Sequence, residues 1–145
     1  MKTISDSFND NYVDENTRLI PNIYEIIDTH LSLRKRNPKS SYVYTIFYIE
    51  DSSVDGCHIQ LLSNSQADFM IDMLFEQGDL KSQLELERFK KSQYYSFFHG
   101  DGGGGYTLIL NAGQKDTARV LVDLMINVFN HPKGEFLKSL TEDSI

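Results

Sequence analysis

The sequence predicts an α+β fold, with a mainly antiparallel sheet of four to five strands and helices packed on it. Three observations lead to this prediction. Aromatic and β-branched residues fill 42–49, as they do in a central strand. A polar turn separates this run from a second one at 57–62, which is the pattern of an antiparallel pair. Apolar residues recur at helical spacing over 18–36 and again over 114–130.

The length and the composition of the chain suit one domain. Its 145 residues are 40% hydrophobic and 24% charged, close to the averages of globular domains. We expect a mobile acidic arm over 1–16, a single α+β domain over 17–140 and a loose C-terminus over 141–145.

The charge of the chain restricts its partners. A formal net charge of −7 disfavours nucleic acid and anionic lipid, because both bind cationic surfaces. A basic protein partner is compatible with it. The N-terminus lacks the apolar core of a signal peptide, and the longest mainly apolar run, 42–49, is too short to span a bilayer. The sequence therefore predicts a cytoplasmic protein that does not bind membranes.

The predicted elements follow the order α-β-β-α-(α)-β-β-α. The first helix covers 18–36, with Pro21 near its first turn, where proline is tolerated. The strands 42–49 and 57–62 follow it. A second helix is then expected, because Ser63 and Gln66 have the spacing of a capping box. Its inner stripe would be Ala67, Met70, Ile71 and Leu74.

The remaining elements end on the clearest amphipathic helix of the chain, over 114–130. Before it we expect a short helix from about Leu80 to Lys91, with Leu80, Leu84 and Phe89 facing inward. Two strands, 94–98 and 106–110, would be joined by 99–105 as a hairpin loop.

The glycine run in that loop is the most conspicuous local feature. Four consecutive glycines, from Gly102 to Gly105, cost backbone entropy on folding. Their N–H groups could cradle an anion, although no Gly-Lys-Ser/Thr follows and the loop leads into a strand. A flexible hairpin connection is the alternative. The candidate ligand-binding residues are His99, Asp101, Gly102, Gly103, Gly104 and Tyr106.

Nothing in the sequence predicts catalysis. Cys57 and His58 could join His99 and Asp101 around a metal, but their spacing matches no ligand signature. His30 lies on an apolar helix and is expected to be structural. We therefore predict no catalytic residues, no metal and no cofactor, and favour a protein that is not an enzyme.

The tyrosines of the first predicted strand are the better functional lead. Tyr42, Tyr44 and Tyr48 share one strand face, and Val43 and Phe47 share the other. One layer of helices covers one face of a sheet, so the other must meet solvent, a ligand or a protein. A tyrosine-rich face suits protein contact, while packing under helices and long loops is the alternative. We expect a homodimer or a complex with another protein.

Several segments also match a known family in their order. A strand ending in Leu61-Leu62-Ser63-Asn64 precedes a helix, and a charged helical stretch over 84–89 comes next. A strand with Phe97-Phe98 and a closing helix with Ala118 and Val128-Phe129 follow. In this respect 57–130 resembles the type III secretion chaperone-like, peptide-binding (TY-Chap) family. That family usually has a Gly-Trp after its middle helices, and this chain contains no Trp. The resemblance implies a peptide- or protein-binding module, often dimeric, without catalytic residues.

Two functions follow as hypotheses. The first is a non-enzymatic module, either chaperone-like or immunity-like, that acts by stoichiometric binding of a protein or peptide. The alternative is a small-molecule or nucleotide-binding module that uses the loop 99–106.

Overall fold

A computed structural model describes residues 4, 8, 13–49, 59–66, 68–110 and 113–144. The helices within these ranges are α1 (Asn16–Leu19), α2 (Ile23–Arg36), α3 (Leu80–Lys90) and α4 (Gln114–Asn127). The strands are β1 (Tyr42–Tyr48), β2 (Ile59–Asn64), β3 (Phe69–Leu74), β4 (His99–Gly100), β5 (Gly105–Leu110) and β6 (Lys138–Asp143).

The strands form one antiparallel sheet in the order β4-β5-β3-β2-β1-β6. The α+β class and the antiparallel pairing of β1 with β2 are confirmed. β1 lies inside the sheet, as its aromatic and β-branched composition predicts. The sheet has six described strands rather than four or five, because β3, β4 and β6 form in segments for which the sequence pattern predicts no strand.

The helices and one face of the sheet enclose a single apolar core. Alternate residues of β1, β2 and β3 are buried, and they join buried residues of α2 and α4 in one cluster. Half of the residues of α4 are buried, and α4 contacts the other three helices, so it is the central helix of the layer. No helix in the described ranges is long and apolar enough to cross a membrane.

The second predicted helix is wrong, because this segment is β3. Met70, Ile71 and Leu74 fit helical spacing, but the segment also fits a period of two. Hydrogen bonding to β2 on one side and β5 on the other selects the strand. Ser63 belongs to β2 and caps no helix, and Ala67 lies outside the described residues. Burial alternates along β3, with Phe69, Ile71 and Met73 buried and Met70, Asp72 and Leu74 on the other face.

The predicted strand over 94–98 is also wrong. Tyr95–Phe97 is a turn of 3-10 helix, in which the Phe97 N–H donates to the Tyr94 carbonyl at 3.0 Å. Tyr94 and Phe98, on either side of this turn, are both buried. An extended chain would also place these two side chains on the same face. A two-residue strand, β4, begins directly after this segment, so the hairpin loop is 101–104.

Three predicted helices differ from the structure in detail. The first is divided into α1 and α2 around Pro21, which cannot continue a helix. α3 buries Phe89, but Leu80 and Leu84 are 76% and 51% exposed, and Ser82 and Glu85 face inward instead. The last predicted helix ends at Asn127 rather than at residue 130.

The two chain ends contain residues that belong to the domain. Within the arm predicted over 1–16, Ile4 is buried, Phe8 stands edge-on to Tyr94 with ring centroids 6.5 Å apart, and Asn16 begins α1. Within the tail predicted as loose, 141–143 pair with β1 as part of β6. The other predictions for 1–12 and for residue 145 lie outside the described residues.

Candidate functional site

One face of the sheet has no helix on it in the part of the chain that the structure describes. We call it the open face. It consists of the strand residues that alternate with the buried ones. Its main side chains are Tyr42, Tyr44, Ile46, Tyr48, Leu62, Met70, Asp72, Leu74, Thr107, Ile109, Lys138, Leu140 and Glu142.

The three tyrosines that the sequence assigns to one strand face all lie on the open face. Tyr42 is 44% exposed and Tyr48 is 38% exposed. The Tyr44 hydroxyl donates to Glu142 Oε2 at 2.7 Å, which links β1 to β6. This hydrogen bond to a carboxylate raises the pKa of Tyr44 above its ordinary value. The face therefore presents aromatic rings with hydroxyl groups in contact with water or with a neighbouring carboxylate.

Sequence reasoning missed the aliphatic part of this face. Ile109 is 64% exposed, Leu74 is 48% exposed and Leu140 is 43% exposed. The second predicted helix contains Leu74, and the sequence pattern predicts no strand around Leu140. Alternation of apolar and polar residues is the signal that indicates these positions. In β6 this signal is weak, because Leu140 is the one apolar residue of the strand.

A cavity of about 330 Å³ opens on this face beside the glycine-rich loop. Thr107 donates to Asp72 Oδ1 at 2.6 Å, which holds the Asp72 carboxylate at the cavity wall. Asp101 provides a second carboxylate, and no described lining residue is cationic. Ile46 and Leu74 add aliphatic surface. The arrangement suits a side chain with an apolar stem and a positively charged end.

The glycine-rich loop is built around its own aspartate. Asp101 Oδ1 accepts hydrogen bonds from the N–H groups of Gly103, at 2.7 Å, and Gly105, at 3.0 Å. These two bonds, the first being the stronger influence, hold the pKa of Asp101 below its ordinary value. The N–H groups of Gly103 and Gly105, which could bind the anion of a ligand, are therefore already hydrogen-bonded to the Asp101 carboxylate.

Gly104 has a steric reason to be glycine. Its φ is +96°, in the region that side chains disfavour, and a Cβ there would overlap the Phe75 carbonyl oxygen. The Phe75 N–H donates to the Gly104 carbonyl at 2.8 Å, which ties the loop to the end of β3. At least this part of the glycine run is explained by packing.

Two of the six predicted ligand-binding residues of the loop line the cavity, and the other four do not. Tyr106 packs against Phe75 and Phe89, with ring centroids 5.9 and 5.2 Å away, and burial raises its pKa. His99 lies on exposed β4 and does not line the cavity, whereas Asp101 and Tyr106 do. The hypothetical metal partners Cys57 and His58 lie outside the described residues.

A serine–histidine pair occurs on the covered side of the sheet. His30 Nε2 lies 2.7 Å from Ser63 Oγ, and its Nδ1 lies 2.9 Å from Thr45 Oγ1. All three residues are 0% exposed, so no substrate reaches the serine hydroxyl. Burial, assisted by the nearby Arg34 charge, lowers the pKa of His30 to about 4. His30 is thus a structural histidine with both ring nitrogens in contact with hydroxyl groups.

Comparison of the chain with protein-family models, curated proteins and solved structures finds no match. The resemblance to the TY-Chap family therefore stays a prediction. What the geometry defines is a class of architecture, a helical layer on one side of a six-stranded antiparallel sheet whose other side carries no described helix.

Proposed function

We propose that this chain is a non-enzymatic binding module that holds a basic protein on its open face, by stoichiometric binding. The observation that supports this most is the exposure of aromatic and aliphatic side chains across the sheet. Secretion-chaperone-like and immunity-like roles are the two forms that this function could take.

The size and composition of the open face favour a protein partner over a small ligand. Exposed apolar side chains extend from Ile109 on β5 to Leu140 on β6, which span nearly the whole sheet. Soluble monomers rarely expose a continuous apolar patch of more than a few hundred Å², and larger ones mark interaction sites. Tyr42 and Tyr48 add rings of the kind enriched in protein interfaces.

The charges on the face favour a basic partner. Three carboxylates belong to this surface: Asp72 and Asp101 lie at the cavity, and Glu142 lies on β6. The single described lysine of the face is Lys138. The whole chain carries a net charge of −7. Charge complementarity of this kind raises association rates and excludes acidic partners.

The alternative function, binding of a nucleotide or another anion by the loop, finds less support. The Asp101 carboxylate accepts from two loop N–H groups and carries a negative charge where the anion would sit. The cavity beside it holds the Asp72 carboxylate as well, so both charges would repel a phosphate.

Site-specific photo-cross-linking in native cells tests the proposal. The photoreactive residue p-benzoylphenylalanine replaces Tyr48 or Ile109 on the open face. In matched controls it replaces Leu80 or Leu84, which are equally apolar and more than half exposed, on α3. We expect the open-face positions to cross-link one dominant protein of basic isoelectric point, and the α3 positions to give no such product.

The purified partner then provides the second step. It should bind the wild-type chain with a stoichiometry of one to one in calorimetry, without turnover of the partner. Cross-links from α3 of equal yield, or a dominant partner that is acidic, would contradict the proposal.

A further inference from the structure

We infer that the outer edge of β6, on which no other described strand lies, pairs antiparallel with β6 of a second copy of this chain, about a twofold axis at Leu140. This inference concerns the sheet edge rather than the open face, and it does not depend on the proposed function. The partner is argued from the hydrogen-bonding pattern of the strand and from its charges.

β6 is the terminal strand of the sheet, with β1 as its one described neighbour. The Ser144 N–H donates to the Tyr42 carbonyl at 2.8 Å, immediately after the paired residues. Backbone groups alternate in direction along an antiparallel strand. Those of Lys138, Leu140 and Glu142 therefore point to β1. Those of Ser139, Thr141 and Asp143 point away from the sheet, where another strand could bind them.

The charges of β6 are self-complementary in one register. With the axis at Leu140, each Lys138 faces Glu142 of the second copy, and the two Leu140 side chains face each other. Ser139 and Thr141 of the second copy then exchange the outward backbone hydrogen bonds. The opposite charges fall at non-hydrogen-bonded positions, where cross-strand side chains are closest.

The side chains needed for this contact are accessible. Lys138, Leu140 and Glu142 are all exposed and lie on the open face. The two six-stranded sheets would join into one sheet, and their open faces would be continuous. Charges on an edge strand can also prevent pairing, but they do so where like charges meet. Here the twofold register places opposite charges together, and a shift by two residues would separate them.

Sedimentation equilibrium of purified variants over a concentration series tests the inference. Pairing of one strand edge is smaller than the roughly 1,200 Å² of stable interfaces, so a weak dimer is expected and the series must reach high concentrations. Lys138→Glu and Glu142→Lys each place like charges opposite one another at two positions. We expect each change to raise the dimer dissociation constant about tenfold or more.

Charge exchange makes the test specific. An equimolar mixture of the Lys138→Glu and Glu142→Lys chains, and a chain carrying both changes, should each regain the wild-type dissociation constant. Lys133→Glu and Glu135→Lys, which are exposed and outside β6, are the matched controls and should leave it unchanged. Circular dichroism verifies that every variant is folded.

Two results would overturn the inference. The first is a wild-type chain that stays monomeric across the series. The second is a dimer that either tolerates the single charge reversals or fails to recover in the mixture. Neither result bears on the partner cross-linked from the open face, so failure here and failure of the proposed function are distinguishable.

Discussion

The two faces of β1 differ in their exposure to solvent, although both are rich in apolar atoms. Val43, Thr45 and Phe47 are 0% exposed beneath the helices, whereas Tyr42 and Tyr48 on the other face remain exposed. On the covered face, the side chains end in carbon atoms or, at Thr45, in a hydroxyl group that has a buried partner. On the open face of β1, three of the four side chains end in phenol hydroxyl groups. The comparison teaches that the open face is amphipathic, as a reversible protein contact requires.

Polar groups on the two faces are satisfied by different means. On the covered side, His30 contacts Thr45 and Ser63, and Thr45 Oγ1 also lies 2.8 Å from Thr141 Oγ1. On the open side, the Tyr44 hydroxyl donates a hydrogen bond to the carboxylate of the exposed Glu142. The first set stabilises the fold because His30, Thr45 and Ser63 are cut off from water. Water can replace the hydrogen bond of the second set.

The largest expected effect separates the two faces directly. Phe47→Ala removes a fully buried ring and should lower the free energy of unfolding by about 3–5 kcal/mol. Tyr48→Ala, on the neighbouring position of the same strand, should lower it by less than about 1 kcal/mol. Urea denaturation measures both. Equal losses would mean that the open face is packed in the folded protein.

The buried histidine should make the covered face sensitive to acid. The pKa of His30 is about 4 in the folded chain, against an ordinary value of 6.5. Between these pH values the unfolded chain binds more protons, so stability falls as the pH is lowered from 6.5 towards 4. The expected loss from this residue is about 3 kcal/mol, measured by urea denaturation along a pH series.

His30→Gln is the control for that series. Its stability at neutral pH should be lower, since the contacts to Thr45 and Ser63 change. The part of the pH dependence that His30 contributes should be absent. A variant with the same slope between pH 6.5 and 4 would show that other groups cause the acid sensitivity.

Two glycines of the loop should differ in their tolerance of alanine. Gly104→Ala brings a Cβ against the Phe75 carbonyl at positive φ, and should cost at least about 2 kcal/mol. Gly102 also has positive φ, but nothing lies within 4 Å of a Cβ there, so Gly102→Ala should cost about 1 kcal/mol. Thermal or urea unfolding ranks the two. A reversed order would contradict the contact of the loop with the end of β3.

The smallest effect is expected for the polar pair of the open face. Tyr44 should titrate above the ordinary tyrosine pKa, because its hydroxyl donates to Glu142. In Glu142→Gln the negative charge is lost, so the pKa should return towards the ordinary value. Ultraviolet titration, with Tyr44→Phe to assign the signal, measures this. An unchanged pKa in Glu142→Gln would mean that this pair is not formed in solution.

The sequence predicts those parts of the fold in which local pattern and final environment agree. β1, β2 and α4 have strong periodicity and lie where that periodicity suggests. The helix predicted over β3 is wrong because the apolar residues of this segment fit both a helical period and a period of two, and only pairing with β2 and β5 selects the strand. β6 escaped detection because an edge strand exposed to water needs few apolar residues; Leu140 is one of only two exposed large hydrophobics between 131 and 144.

The candidate site was predictable in part for the same reason. A period of two places Tyr42, Tyr44 and Tyr48 on one face without any knowledge of the fold. Which face the helices cover is decided by tertiary packing, and both faces of β1 could have supplied a core. The cavity joins Asp72 to Asp101, which are distant in the chain, so no local pattern could bring them together.

The most direct test of the proposed function is the affinity of the open face for the purified basic partner obtained by cross-linking. Isothermal titration calorimetry should compare the wild-type chain with Asp72→Asn at the cavity and with Glu87→Gln, an exposed carboxylate of α3 that changes the net charge equally. We predict that Asp72→Asn weakens binding about tenfold or more while Glu87→Gln leaves it unchanged. Equal affinities for the wild type and Asp72→Asn, or an equal loss in both variants, would contradict binding of a basic partner at the open face.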